Sequence, residues 1–343
     1  MYIFVIVFLV LLIFAVLTEA AHTNLFVYFS TFTLIILAGF RNVNAYINND
    51  TAMYYSIYNG FNDRKLEYGY TFLSNIFHFM RINWTYFALF IAFVTLIILT
   101  KEYIIFTNMP AFALLYYYAR FFVSRDMNQI RASLAAAILL ISIRYIYKGD
   151  FWRFLVIIMF ATLFHTAGAI GIILYPVFKL VKKIDPQKYL RYFVVAITVA
   201  LSLSFVTGLV FTKFNTFFTS VYITNTFYVQ GGGLENPVLW MQIIISFFAI
   251  YLFQKGQYRN TKYYSVILYM YVISTIILAL LSQYYTLAAR TSTLFATVEP
   301  IILLNMCEIK FNKKVGLLIF VIIAVIIFYL INSKVATSDL IVF

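Results

Sequence analysis

Charge is scarce in this sequence: Asp, Glu, Lys and Arg together make up 11% of 343 residues, against about 25% in an average soluble domain. A chain so poor in charge cannot clothe a water-facing surface, which excludes water as its main solvent. Cysteine is nearly absent too. The lone Cys307 cannot form an internal disulfide, and with only three histidines no set of ligands has zinc-site spacing; Cys307 reads as a small buried hydrophobe. Acidic residues number 12 against 25 Lys and Arg, a net charge of +13. That charge lies in short loops between apolar segments and not in one solvated patch, which points away from nucleic acid and toward membrane topology. Met1–Leu17 has the length of a signal peptide, but it lacks a basic start and a small-residue cleavage site before Glu19, so it reads as a first span.

What the chain does have is apolar sequence, 64% of all positions. Windows of about 20 residues, enough to cross roughly 30 Å of hydrocarbon, recur almost end to end. The expected fold is an all-α polytopic integral membrane protein, a single transmembrane domain 1–343 with about twelve transmembrane helices. The windows run from Tyr2–Leu17 to Gly316–Ile331 and include Trp84–Thr100, Tyr103–Phe121 and Met127–Ile146.

Cytoplasmic loops retain Lys and Arg during insertion. Clusters at Lys101, at Arg144, Lys148 and Arg153, at Lys179 to Arg191, at Lys255, Arg259 and Lys262, and at Lys310, Lys313 and Lys314 all fall on one side of this topology. With that side cytoplasmic, both termini lie outside, and 41–83 and 213–236 become the two long external loops. The outer side then carries few lysines (Lys65, Lys213 and Lys334) but most of the arginines: Arg41, Arg64, Arg81, Arg120, Arg125, Arg131 and Arg290.

Arginine offers a planar fork of donors for phosphate or carboxylate and keeps its charge wherever it sits. For any one of these residues, snorkelling to the headgroups is an equal account, and for Arg64 and Arg120 it suffices. The segment Ser124–Arg131 argues for more. If it opens a span, Arg131, Ser124, Asn128, Arg125 and Gln129 share half a helix, a face lipid would reject and a polar cavity would accept. Residues 66–81 alternate as an amphipathic interfacial helix, with Glu67, His78 and Arg81 on its polar face; a merely solvated polar face is the alternative. Asp50, followed by Thr51 and Tyr54, lies in the first external loop. His165 lies between two short spans beside small residues, where a structural role is as good a reading as a catalytic one. Glu299, followed by Pro300, is the most membrane-embedded carboxylate and reads as a pathway or structural residue.

Several segments together resemble the Wzy/EpsG group of polysaccharide polymerases: Gly39-Phe40-Arg41 followed by Asn49-Asp50-Thr51 and Tyr54; Glu67-Tyr68-Gly69-Tyr70; Gln129-Ile130-Arg131 with its alanine run; Phe164-His165; and Ala289-Arg290. Asn49 and Tyr68 depart from the glycine and proline that the group often has there. The resemblance implies a membrane glycosyltransferase that moves a growing glycan from a polyprenyl pyrophosphate carrier onto a new lipid-linked repeat at the outer face. It also implies the bacterial plasma membrane, an active site facing the periplasm or cell exterior, and O-antigen, capsule or exopolysaccharide as product. The partners implied are polyprenyl-pyrophosphate-linked oligosaccharide as donor and acceptor, the lipid bilayer and a chain-length regulator protein, with no nucleic acid, cofactor or metal.

The residue stock suits such chemistry. A pyrophosphate leaves without needing a proton, so fixed positive charge is what it requires; Arg41, Arg125, Arg131 and Arg290 are the candidates, with Tyr54, Asn128 and Gln129 as further substrate contacts. The acceptor hydroxyl gains from a base, for which Asp50, Glu67 and His165 are candidates. Attack opposite the pyrophosphate inverts the anomeric centre without a second carboxylate. The rivals are an O-antigen-type ligase with the same donor chemistry, a flippase for the lipid-linked oligosaccharide, and an acyltransferase with His165 as base. A flippase binds at mid-membrane and usually shows internal repeats, and no repeat is present in this sequence.

Overall fold

The computed structural model describes residues 2–43, 49–213, 232–258 and 262–333. Most of the expected outer loop 213–236, together with Arg259 and Lys334, lies outside the described residues. The described chain is helical throughout, because an apolar backbone removed from water must satisfy its N–H and C=O groups within its own segment. In order the helices are α1 (Tyr2–Ala21), α2 (Leu25–Gly39), α3 (Asn49–Tyr58), α4 (Tyr68–Phe79), α5 (Trp84–Phe106), α6 (Pro110–Tyr117), α7 (Val123–Arg125), α8 (Ile130–Lys148), α9 (Phe151–Phe164), α10 (Leu174–Val181), α11 (Tyr189–Lys213), α12 (Pro237–Gln254), α13 (Tyr264–Leu280), α14 (Tyr285–Ala296), α15 (Glu299–Lys310) and α16 (Lys313–Asn332).

Six helical segments are long and apolar enough to cross a membrane: Tyr2–Ala21, Trp84–Phe106, Ile130–Lys148, Pro186–Val206, Pro237–Gln254 and Lys313–Asn332. A seventh forms if α14 and α15, bent by 59° at their junction, count as one span. Leu25–Gly39, Phe151–Phe164, Thr166–Val181 and Tyr264–Leu280 are shorter apolar helices. This is a smaller set of full-length spans than the twelve windows, because turns and breaks shorten several of them.

Sequence punctuation accounts for the ends. Asn83, Asp150, Asn236 and Asn312 each accept a backbone N–H two or three residues on, satisfying a donor that the helix leaves open. Pro110 and Pro237 open α6 and α12, where their missing N–H costs nothing. Gly149, with φ of +74°, closes α8, a conformation that favours glycine.

At the centre lies α8, packed on α5, α9 and α14. Its alanine run, Ala132 and Ala135–Ala137, is buried and lets neighbouring backbones approach. On the rim, Ile6, Leu9 and Ile13 of α1 and Leu318, Ile322 and Ile326 of α16 are exposed, as lipid-facing residues must be.

Contacts sort the helix ends into two groups. One end joins Glu19 to Lys313, Arg144 to Glu102, Lys310 to Gln257 and Gln254 to the carbonyl of Pro186. The other joins Arg41 to Asp126, Asp50 to Arg290 and Glu67 to His165. The lysine clusters lie with the first group.

Three local expectations need correction. Lys101 lies inside α5, which continues to Phe106, and Pro110 restarts the chain after the break. The helix expected over 66–81 runs over Tyr68–Phe79, and the preceding loop contains α3. Residues 124–131 are not one helical face. The run from Pro110 continues through π-helical winding at Tyr118–Phe122 and ends at Arg125. Asp126 to Gln129 then turn, with the Gln129 N–H donating to the Ser124 carbonyl at 3.3 Å. Asp and Asn favour such turns because their short polar side chains compete with helix hydrogen bonding.

Candidate functional site

Two carboxylate–guanidinium pairs form at the end opposite the lysine clusters. The first depends on how α3 docks. In its first turn the Asp50 N–H donates to Asn128 Oδ1 at 3.1 Å, and Thr51 Oγ1 donates to the Met127 carbonyl at 2.8 Å. The turn after α7 is thereby locked to the start of α3. Asp50 Oδ2 then accepts a hydrogen bond from Arg290 Nη2 of α14 at 2.9 Å. Both side chains keep some exposure, 18% for Asp50 and 27% for Arg290, so this pair is within reach of a solute.

The second pair centres on Glu67, the residue before α4. Gly69 makes it possible: a Cβ there would come within 2.9 Å of the Leu163 carbonyl oxygen of α9, so only glycine lets α4 press against α9 two residues before His165. Glu67 Oε1 accepts the Thr166 N–H at 3.2 Å and lies 3.2 Å from His165 Nδ1. Glu67 Oε2 accepts from Arg131 Nη1. Burial alone would raise the Glu67 pKa, but the His165 hydrogen bond and the Arg131 charge outweigh it and hold the carboxyl at about 2. An ionised carboxylate cannot donate, so Nδ1 is the protonated nitrogen in this contact, and in the neutral imidazole the lone pair is then on Nε2.

Tyr54 connects the pairs. The Arg131 guanidinium lies 4.8 Å from the centre of its ring, and its hydroxyl lies in the fields of Arg131, Asp50 and Arg290. Tyr70 is 6.0 Å from the same guanidinium. Both tyrosines are buried, and the cation–π contacts help to hold Arg131 in place.

The other sequence candidates lie deeper or apart. Arg41 is 5% exposed and donates through Nη1 to the carbonyls of Ala38 and Asp126, each at 2.8 Å, tying the end of α2 to the turn. Arg125 is 2% exposed, lies 5.7 Å from the Phe121 ring, and has no hydrogen-bond partner for its guanidinium among the described residues. The structure therefore does not bring Arg125 to the exposed pairs. Asn128 spends its amide oxygen on the Asp50 N–H, while Gln129 is half-buried in the turn. His78 and Arg81 are exposed and stand apart from Glu67.

Arg120 does not snorkel. It is 7% exposed and pairs at 3.5 Å with the fully buried Glu299, which also accepts from Tyr116 at 2.5 Å and Tyr271 at 2.9 Å. Arg120 lies in the π-helical winding of Tyr118–Phe122, where the angle per residue departs from that of a regular helix, so its inward direction is not legible from regular helical spacing. Sequence reasoning also missed Asp126, which accepts from Tyr117 at 2.6 Å and Ser133 at 2.8 Å, and Tyr70. The adjacent Arg125-Asp126 pair in an apolar context was the available sign of the former; Tyr70, one turn beyond Glu67, looked like part of the apolar face.

The fold and this end define a class: a helical protein with membrane-length apolar helices and a cluster of paired arginines and carboxylates at one end of the bundle. Over residues 24–342 the chain matches the profile of the EpsG family, and it belongs to that family. The resemblance carried by the Arg41 to Arg290 segments is thereby shown. The chain is also similar to the amylovoran biosynthesis protein AmsC of Erwinia amylovora, 24% identical over 304 residues that cover 81% of this chain and 78% of that protein. No solved structure matches it significantly.

Proposed function

We propose that this chain polymerises lipid-linked polysaccharide repeat units, moving the growing glycan from a polyprenyl pyrophosphate onto a new lipid-linked repeat. Family membership and a relative named for amylovoran biosynthesis support a role in polysaccharide biosynthesis. One observation carries the finer reading: Glu67 is held between His165 and Arg131, next to the Asp50–Arg290 pair.

In this arrangement Glu67 orients the base and does not act as one. Both of its oxygens are occupied and its proton affinity is low, whereas His165 Nε2 has a lone pair for the acceptor hydroxyl proton. Asp50 is the second candidate base. Arg131 and Arg290 meet the negative charge that develops on the departing pyrophosphate, each exchanging part of its carboxylate contact for phosphate oxygens. Direct attack by the hydroxyl opposite the pyrophosphate inverts the anomeric carbon.

The lysine clusters at the opposite end support an orientation with the paired arginines on the outer side of the bacterial plasma membrane. Counting each of the four shorter apolar helices, the bent α14–α15 pair and the run Pro110–Arg125 as crossings beside the six long ones gives the proposed topology of twelve. The test is reconstitution of the purified chain with lipid-pyrophosphate repeat units, which should yield a ladder of longer glycans. Translocation of the lipid without elongation, or transfer only to an unrelated acceptor, would overturn the reading in favour of a flippase or a ligase.

A further inference from the structure

Between α3 and α4, one turn from Glu67, lies a cavity of about 270 Å³ that the chemistry above leaves unused. Its walls contain no Asp, Glu, Lys or Arg, and His78 is the one imidazole among them, so neither a phosphate nor a carboxylate finds a permanent charge there. They do contain an unusual density of neutral polar groups, among them Asn59, Thr71, Ser74 and Asn75. Asn75 is exposed at the rim, and Ser74 is buried.

Two tyrosines complete it. The Tyr58 hydroxyl is already engaged by the Ile82 carbonyl at 2.5 Å, so Tyr58 offers the cavity its ring. Tyr70 is 1% exposed, yet its hydroxyl has no hydrogen-bond partner among the described residues. A buried hydroxyl without a partner destabilises a fold, and here it belongs to a residue that lines the cavity and contacts Arg131.

Amides, hydroxyls and an imidazole around an aromatic wall, without a permanent charge, match the surface of a neutral sugar ring, whose hydroxyls both donate and accept while its C–H face packs on an aromatic. The volume suits one ring and not a chain of them. We propose that this cavity is a subsite for one neutral hexopyranose of the acceptor repeat, held so that the hydroxyl to be glycosylated reaches His165. The proposal rests on the polymerase reading for the acceptor's identity, but not for the presence of the sugar site.

Full-length protein in lipid nanodiscs, probed by saturation-transfer NMR with free D-glucose, D-galactose and N-acetyl-D-glucosamine, tests it, with D-glucuronate as the charged control. At least one neutral sugar should receive saturation and glucuronate should not. Ser74→Leu, which fills the cavity, and Asn75→Ala, at its exposed rim where folding is not at stake, should each weaken binding about tenfold. In the elongation assay the same two variants should raise the KM for acceptor and leave kcat and the KM for donor unchanged. No saturation of any neutral sugar, or saturation untouched by both variants, overturns the subsite. Elongation with an unaltered acceptor KM removes the subsite and leaves the polymerase reading standing; sugar binding lost in both variants of a protein that never elongates does the reverse.

Discussion

Replacing Glu67 by Gln keeps the shape of the side chain and deletes the charge on which its three partners depend. The carboxyl is moved from 4.5 to about 2, which at about 1.36 kcal/mol per pKa unit corresponds to roughly 3 kcal/mol favouring the ionised form in the fold. The side chains of Glu67 and Arg131 are 12% and 13% exposed, so solvent screening removes little of this. Because the pKa is depressed, the contribution is complete above pH 4.5 and is lost as pH falls toward 2. Wild type should therefore melt well above Glu67→Gln at neutral pH in nanodiscs, and the difference should shrink between about pH 5 and pH 3. Activity should fall further than stability: an amide no longer fixes the imidazole tautomer, and a misoriented base costs roughly 10²–10⁴-fold in turnover. Elongation by folded variant at saturating donor and acceptor measures this. A melting difference that does not change with pH, or turnover within a few-fold of wild type, would refute the account of Glu67 as the residue that orients His165.

Arg290→Lys keeps a positive charge but loses the fork that spans carboxylate and phosphate, so elongation should drop by about tenfold or more while the protein still inserts; glycan length on gels reports it. Arg131→Ala should abolish elongation, and it should destabilise the fold by about 3 kcal/mol because Glu67 is left half-enclosed without its cation; full-length polymer in this variant would contradict the role. Gly69→Val should push α4 off α9 at the Leu163 carbonyl, costing about 1–3 kcal/mol and separating Glu67 from His165, with loss of turnover at a nearly normal donor KM. In a Cys307→Ala background, a membrane-impermeant maleimide applied to intact cells should label Asp63→Cys and not Lys313→Cys; the reverse pattern would invert the orientation.

The membrane-embedded, all-helical character of this chain follows from composition and local pattern. Apolar residues in membrane-length runs can satisfy their backbones only as helices, and Asn83, Pro110, Pro237 and Asn312 mark helix starts with local chemistry that needs no distant partner. The lysine clusters fall together for the same reason, since alternate ends of successive helices must share a side. The motif segments around Asp50, Glu67, Arg131, His165 and Arg290 likewise sufficed to indicate the family, because a resemblance is itself a property of sequence.

What the residues face was decided in three dimensions. Nothing local pairs Glu67 with residues 64 and 98 positions away; that contact exists because Gly69 lets α4 touch α9 and because α8 begins beside them. A steady helical angle carried Arg125 and Arg131 onto one stripe, whereas the turn after Arg125 places Arg131 over Tyr54 and leaves Arg125 sealed beneath. Arg120 met Glu299 through π-helical winding that residue types do not announce. The sequence by itself determined that a cluster of arginines would lie at one end of a helical membrane bundle. Only the tertiary structure decided that Arg131 and Arg290 each hold a carboxylate, since a guanidinium's partner is set by which distant helix ends converge, and that convergence depends on side-chain packing across the whole bundle.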